Sequence, residues 1–439
     1  MKNLNKNIFC NTPWYEIHIY QDGRLGICCQ ESHQLYSKQD QHQYNIKNMS
    51  ITDWFNSLPV TNFRSSMLEN KKNSACSRCY YEEMHNGHSR RLKGHQKSAI
   101  FAREAFTDSF KQSPGYSDFV YAANHNGQTL TNPIDLHVDF GNYCNLACKM
   151  CSQGASSTIA LQNYRWGNKD AKRFIGTDWT RDPDVWNKFK NELLQLNNLH
   201  NIHFMGGETL ISDRFEDFID TMIEHKRFEL CFSFVTNGTT FNLSLMEKLS
   251  KFQRVGIEVS IETVDERNAY QRQGTNTNLV LENIRKYLEY CNDTSITIAI
   301  RPAMSLLTIG YYITLLQYAL DNNFIVKSNV VMHPKFLSAE ILPDKIKKLY
   351  AKQYKEFLKN FADIDENKDY NTSNPENVRA VIKEQANLCL SILDTPQPDN
   401  SEKLLEEFVT HCKKWDQVYN YNARKLYPEF AEILDRYGY

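Results

Sequence analysis

The chain has 439 residues, 51 basic and 52 acidic side chains and a formal net charge of −1. That length is enough for two or three domains, and the balanced charge leaves no global field favouring nucleic acid or an anionic membrane. No apolar run long enough to span a bilayer (roughly 18 residues) is present, and the opening MKNLNKNIFCNTPW holds no signal-like apolar stretch. A soluble, cytoplasmic protein with no membrane or nucleic-acid partner is expected.

Twelve cysteines are many for a compartment that keeps thiols reduced, and they favour metal ligation over disulfides. Cys10 is followed by twelve residues, Gly23, four more residues and Cys28. Alternating Ile17, Ile19 and Leu25, Ile27 flank Gln21-Asp22-Gly23, the pattern of a β-hairpin that carries Cys28 back beside Cys10. Helical segments over 51–58 and 62–70 lead to Cys76-Ser-Arg-Cys79, a two-ligand turn. Four thiolates in two pairs suit zinc or a four-iron cluster equally on spacing alone. Arg90, Arg91, Lys93 and Lys97 read as a solvated linker face, and 96–133 as a helix and loops bridging to the next domain.

From 134 onward, strand-like runs (134–140, 200–205, 230–235, 255–261, 295–300, 324–331) alternate with helical patterns (185–196, 213–225, 243–252, 278–290, 311–322). Six such alternations imply βα units with right-handed crossovers and a parallel sheet, whose ligands sit beyond the carboxyl ends of the strands. Directly after the first run, DFGNYCNLACKMCS places Cys144, Cys148 and Cys151 at the spacing C-x3-C-x2-C. Three thiolates on one loop can hold three irons of a cubane cluster and leave the fourth open. A structural zinc would usually take four protein ligands, and the loop offers no fourth Cys or His. The second run ends in Gly206, Gly207 and Glu208.

The cysteine loop, the next strand and its GGE turn together resemble the radical S-adenosylmethionine (SAM) enzymes. The resemblance implies an α/β fold, a partial (β/α)6 barrel over 134–333 whose Cys144, Cys148 and Cys151 hold a [4Fe–4S] cluster, with SAM on the open iron and Gly206, Gly207 and Glu208 at its amino group. It also implies SAM contacts by Asn237 after the third strand, by Ser260 after the fourth and by Arg272, whose planar fork suits a carboxylate. Met150 stands before the third cysteine, where the family commonly has an aromatic residue, and its thioether can cover the same adenine surface. The N-terminal pattern resembles the twitch module, a shortened relative of the SPASM domain, here placed before the barrel rather than after it. That resemblance implies an auxiliary [4Fe–4S] cluster on Cys10, Cys28, Cys76 and Cys79 within 1–95, Gly23 selecting Cys28 over Cys29. The role of that cluster, electron transfer or structural support, stays open.

The segment 163–186, with Trp166, Trp179 and Trp186, reads as core or surface packing. Residues 334–439 form a helical region by periodicity, with helices over 343–361, 375–393 and 402–420. The expected activity is reductive cleavage of SAM to a 5′-deoxyadenosyl radical and abstraction of a substrate hydrogen, giving oxidative modification of a peptide or protein, such as a cross-link or dehydrogenation. A small-molecule substrate (an amino sugar or nucleotide) and a non-catalytic iron–sulfur or zinc protein are the alternatives. The expected reductant is a flavodoxin or ferredoxin.

Overall fold

The computed structural model describes residues 5, 7–31, 35–86, 89–92, 120–291, 294–362 and 375–439. Its strands are β1 (Glu16–Ile19), β2 (Leu25–Gly26), β3 (Asp135–Asp139), β4 (Ala147–Cys148), β5 (Asn201–Met205), β6 (Cys231–Thr236), β7 (Arg254–Val259), β8 (Arg272–Gln273), β9 (Ile296–Ile300), β10 (Ala303–Met304), β11 (Ile325–Val326) and β12 (Asn329–Val330). Between them run α1 (Ile51–Phe55), α2 (Leu58–Leu68), α3 (Ser77–Asn86), α4 (Ser157–Arg165), α5 (Pro183–Gln195), α6 (Asp213–Glu224), α7 (Leu243–Leu249), α8 (Glu266–Gln271), α9 (Thr277–Cys291) and α10 (Tyr312–Asp321). Three long helices follow: α11 (Asp344–Leu358), α12 (Pro375–Asp394) and α13 (Ser401–Tyr419). The fold is thus the expected α/β alternation with a parallel sheet and a helical C-terminal region.

Two compact units divide the chain, the first comprising Met1–Tyr143, Asn168–Phe234 and Ser244–Val255. Here the predicted hairpin forms: β1 pairs antiparallel with β2 (Ile19 opposite Leu25), and Gly23 at φ +83° makes the turn. The hairpin does not stand alone. β1 pairs in parallel with β3, β3 with β5, and β5 with β6. Because side chains alternate, one face carries Ile17, Leu136, Val138, Ile202, Phe204, Phe232 and Phe234, all buried. That face meets an aromatic layer from α5 and α6, with Phe204 and Phe218 centroids 5.3 Å apart and Phe140 edge-on to Trp186 at 5.4 Å.

α6 supplies its share because Phe215, Phe218, Ile219 and Met222 recur at helical spacing and are buried. α5 starts where it does because the Asp182 side chain accepts from the amides of Asp184 and Val185, with Pro183 in the first turn. Trp179 and Trp186 are buried, and the Trp179 indole donates to the Asp139 carbonyl at 2.9 Å, so in this unit these tryptophans pack, as the sequence reads. Arg91 departs from the solvated face expected of it: it is 2% exposed, donates to Phe9 O at 2.8 Å and pairs with Glu83, while Arg90, with its side chain 40% exposed, pairs with Glu16. Local charges were available to both, which a charge run alone does not reveal. Lys93, Lys97 and most of the 96–133 bridge lie outside the described residues.

The second unit comprises Cys144–Gly167, Val235–Leu243 and Gly256–Tyr439. It contains the carboxyl ends of four strands in succession. Ser260 N donates to Thr236 O at 2.8 Å, Arg301 N to Val259 O at 2.8 Å, and β9 pairs in parallel with β11. The run expected to be one sixth strand is interrupted: β11 stays with β9, whereas β12 pairs with β10. Ser328, at the break, gives its amide to Gln385 Oε1 of α12 at 3.1 Å, which takes a ladder position out of the strand. α11 and α12 pack on the unit, with the Tyr354 hydroxyl donating to Ile309 O at 2.6 Å.

Candidate functional site

In the first unit the GGE turn nests under the backbone that follows β3. Gly207 N donates to Gly141 O at 3.2 Å and Glu208 N to Tyr143 O at 2.8 Å. A Cβ on Gly207 would lie 1.8 Å from Tyr143 O, and one on Gly206 (φ +112°) 2.7 Å from Gly141 O. Only glycine fits at either position, so the sequence signal has a steric cause. Glu208 is buried and its Oε1 accepts from Leu210 N at 3.1 Å, which fixes the carboxylate at the strand's end. The peptide held by Glu208 immediately precedes Cys144.

In the second unit the three-cysteine loop is tied down from several sides. Thr158 donates to the Cys144 carbonyl at 2.6 Å, and Ser156 caps α4 while donating to Leu146 O at 3.3 Å. β4 pairs antiparallel with β8, setting Cys148 opposite Arg272. The Arg272 guanidinium pairs with Glu262 through Nε and, at 2.9 Å, through Nη2, and its Nη1 lies 3.6 Å from Cys148 Sγ. Glu262 is fully buried and also accepts from Ala303 N at 3.1 Å. Burial opposes the Arg272 charge, but Glu262 and the cysteine sulfurs outweigh it and hold the guanidinium above its usual range. The fork predicted to bind the SAM carboxylate is therefore engaged with Glu262, with Nη1 directed at a cysteine sulfur.

Asn237 donates to Asn145 Oδ1 at 2.8 Å and accepts from Thr239 N at 3.0 Å, so its amide joins the third strand's end to the cysteine loop. Ser260 is buried, with its amide on Thr236 O, and its hydroxyl makes no hydrogen bond among the described residues. Met150 is half-buried between Lys149 and Cys151. The second unit thus brings Cys148, Met150, Asn237, Ser260 and Arg272 onto the cysteine loop and the strand ends, while Gly206, Gly207 and Glu208 belong to the first unit.

Residues that the sequence did not single out complete the loop's support. Asn145 also donates to Thr239 Oγ1 at 3.0 Å. Lys149 is buried, donates to Tyr270 O, and holds its ammonium 3.6 Å from the Tyr270 ring centroid and 4.8 Å from that of Trp415 in α13. Burial drives Lys149 down to about 7, against the opposing pull of Cys412, Asp416 and Cys148. No local motif marks a lysine for an aromatic cage assembled from residues more than a hundred positions away.

The first unit also gathers the N-terminal thiols. Burial pushes Cys28 well up, and the neighbouring charges of Cys29, Glu16 and Cys10 add to it. Cys79 rises to about 12, by burial and then by Cys10, and Cys76 is raised by burial, Cys10 and Cys79. Cys10 itself is raised by burial and eased by Thr12 and Arg91. Cys29 instead groups with Glu16 and His137.

A structural zinc site takes four protein ligands, and the three-cysteine loop offers no fourth cysteine or histidine. In the second unit, burial followed by Cys148 and Cys144 pushes Cys151 up to about 12, so these thiolates are costly unless a cationic cluster takes their charge. Both sets fit iron–sulfur clusters.

Residues 138–306 match the radical SAM superfamily and residues 10–80 an iron–sulfur cluster-binding SPASM domain. These domains imply a [4Fe–4S] cluster with SAM in the first and an auxiliary iron–sulfur cluster in the second. No curated protein sequence matches the chain. Among solved structures it is similar to Streptococcus suis SuiB bound to SAM, at 15% identity and TM-score 0.34 over 70% of this chain and 63% of SuiB. It is also similar to anSMEcpe bound to SAM, at 20% identity and TM-score 0.40 over 52% of this chain and 62% of that one. The chain thus spans about three fifths of the length of either structure. The chain thus carries a radical SAM domain over residues 138–306 and a SPASM-type iron–sulfur domain over residues 10–80.

Proposed function

We propose that this chain is a radical SAM enzyme that abstracts a hydrogen atom from a peptide or protein substrate and oxidises it. The observation that carries the reading is a three-cysteine loop without a fourth cysteine or histidine, lying within the matched radical SAM domain. Cys144, Cys148 and Cys151 would hold a cluster that, with SAM bound, would supply the electron for reductive cleavage of the sulfonium to methionine and a 5′-deoxyadenosyl radical. The chain's own residues hold and aim the reactants. Arg272 neutralises part of the sulfur charge at Cys148, with Glu262 fixing its orientation. The GGE turn presents backbone at the SAM amino group, and the free hydroxyl of Ser260 is a donor for the SAM carboxylate. Asn237 keeps the third strand's end in register with the loop, and Met150 covers the adenine.

Cys10, Cys28, Cys76 and Cys79 would hold the auxiliary cluster in this reading, and that cluster would supply an acceptor for the electron left on the substrate after hydrogen loss. A flavodoxin or ferredoxin is the proposed reductant and the cytoplasm the proposed location; no described helix is long and apolar enough to cross a membrane. Anaerobic reconstitution followed by dithionite and SAM tests the reading. About eight irons per chain and release of 5′-deoxyadenosine are expected. Bound zinc with no SAM cleavage overturns it. A peptide losing two hydrogens, seen by mass spectrometry in an extract treated with the active protein, supports the substrate class; a small molecule changed instead refutes it.

A further inference from the structure

The face of the first unit's sheet opposite the aromatic layer carries a buried polar group at the β1–β3 pair. Register sets His18 of β1 opposite His137 of β3, with Asp139 two residues further along β3 on the same face. These three residues are 3%, 2% and 3% exposed. His18 Nε2 lies 3.1 Å from Asp139 Oδ2, and His137 Nε2 lies 3.8 Å from Asp139 Oδ1. One donor atom from each residue falls within 4.8 Å of the other two. Asp139 Oδ1, buried and directed into this group, accepts no hydrogen bond among the described residues.

A buried carboxylate oxygen without a donor is costly, and the 3.8 Å gap to the imidazole is too long for a hydrogen bond to offset it. Two ligands at about 2.1 Å from one tetrahedral ion lie about 3.4 Å apart. The two observed separations, a 3.1 Å hydrogen bond from His18 to Oδ2 and 3.8 Å from His137 to Oδ1, lie to either side of that value, so the two carboxylate oxygens face one imidazole each. Two imidazoles and one carboxylate suit a borderline divalent ion such as zinc, whereas magnesium and calcium prefer all-oxygen sites.

We propose that His18, His137 and Asp139 form a buried site for one divalent transition-metal ion of the zinc class, separate from both cysteine sets. The ion clamps the N-terminal hairpin to the end of β3, and the next residues, Phe140 to Tyr143, lead into Cys144. The site stands whether or not SAM is cleaved, since its readout is metal content.

The test uses full-length protein reconstituted with iron and sulfide, given one equivalent of zinc, desalted and analysed for both metals. Wild type is expected to retain about one zinc per chain beside its irons. His18→Gln and Asp139→Asn are each expected to weaken zinc retention at least about tenfold while keeping iron and circular dichroism unchanged. Loss of zinc from wild type, or retention by both variants at the wild-type level, overturns the proposal. Should the variants fail to fold, zinc X-ray absorption on wild type decides: nitrogen and oxygen neighbours support the site, and sulfur neighbours, which would place the zinc in a cysteine set, refute it.

Discussion

The loop over 144–151 draws its three thiols from eight consecutive residues, whereas the set Cys10, Cys28, Cys76 and Cys79 draws four from a span of seventy. The compact set is held by its surroundings: strand pairing to β8, a bond from Thr158, and the Arg272–Glu262 pair. The dispersed set hangs on separate elements: Cys10 and Cys28 flank the β1–β2 hairpin, Cys76 ends the turn before α3 and Cys79 lies in α3. A local loop can leave a coordination site open because its backbone needs no metal to bring the ligands together. A dispersed set closes around its metal and gains folding energy from it.

Substitutions separate these two designs. The largest effect is expected for Cys148→Ala, which should halve the iron content and reduce 5′-deoxyadenosine formation by more than about 100-fold, read by iron assay and chromatography. Next is Gly207→Ala. With its Cβ at 1.8 Å from Tyr143 O, the backbone before Cys144 must move, at a cost of about 3 kcal/mol or more; thermal unfolding and SAM affinity should both fall.

Glu262→Gln breaks a buried pair and is expected to cost about 3 kcal/mol; the remaining Arg272 charge should shift the reduction potential of the loop's cluster upward, measured by electron paramagnetic resonance titration. Cys28→Ser should remove the auxiliary cluster and leave the loop's cluster in place, while Cys29→Ser should keep both. The reverse result would move the ligand from Cys28 to Cys29.

The effect that is smallest per pH unit concerns Lys149. Burial lowers its folded value to about 7, against about 10.4 in the unfolded chain. The charged form is therefore penalised in the fold. That penalty is fully present below about pH 7 and fades as pH rises toward about 10.4, so wild-type stability should rise across that window by at most about 1.4 kcal/mol per unit. Lys149→Met should flatten the rise, as read by denaturant midpoints at several pH values.

Local pattern carried much of this molecule. The βα alternation was legible because buried parallel strands read as apolar runs and α6 and α9 as amphipathic periods. The two iron–sulfur domains were legible because cysteine spacing along the chain is a covalent property, and the GGE turn because glycine answers a steric demand. What the sequence left undecided depends on partners distant along the chain. It could not join the N-terminal hairpin to β3, since a four-residue strand shows no preference for its neighbour. The engagement of Arg272 with Glu262, the cage around Lys149 and the row of His18 and His137 also required the tertiary structure. Each rests on strand register and helix packing, which place side chains together by long-range burial that no local spacing encodes.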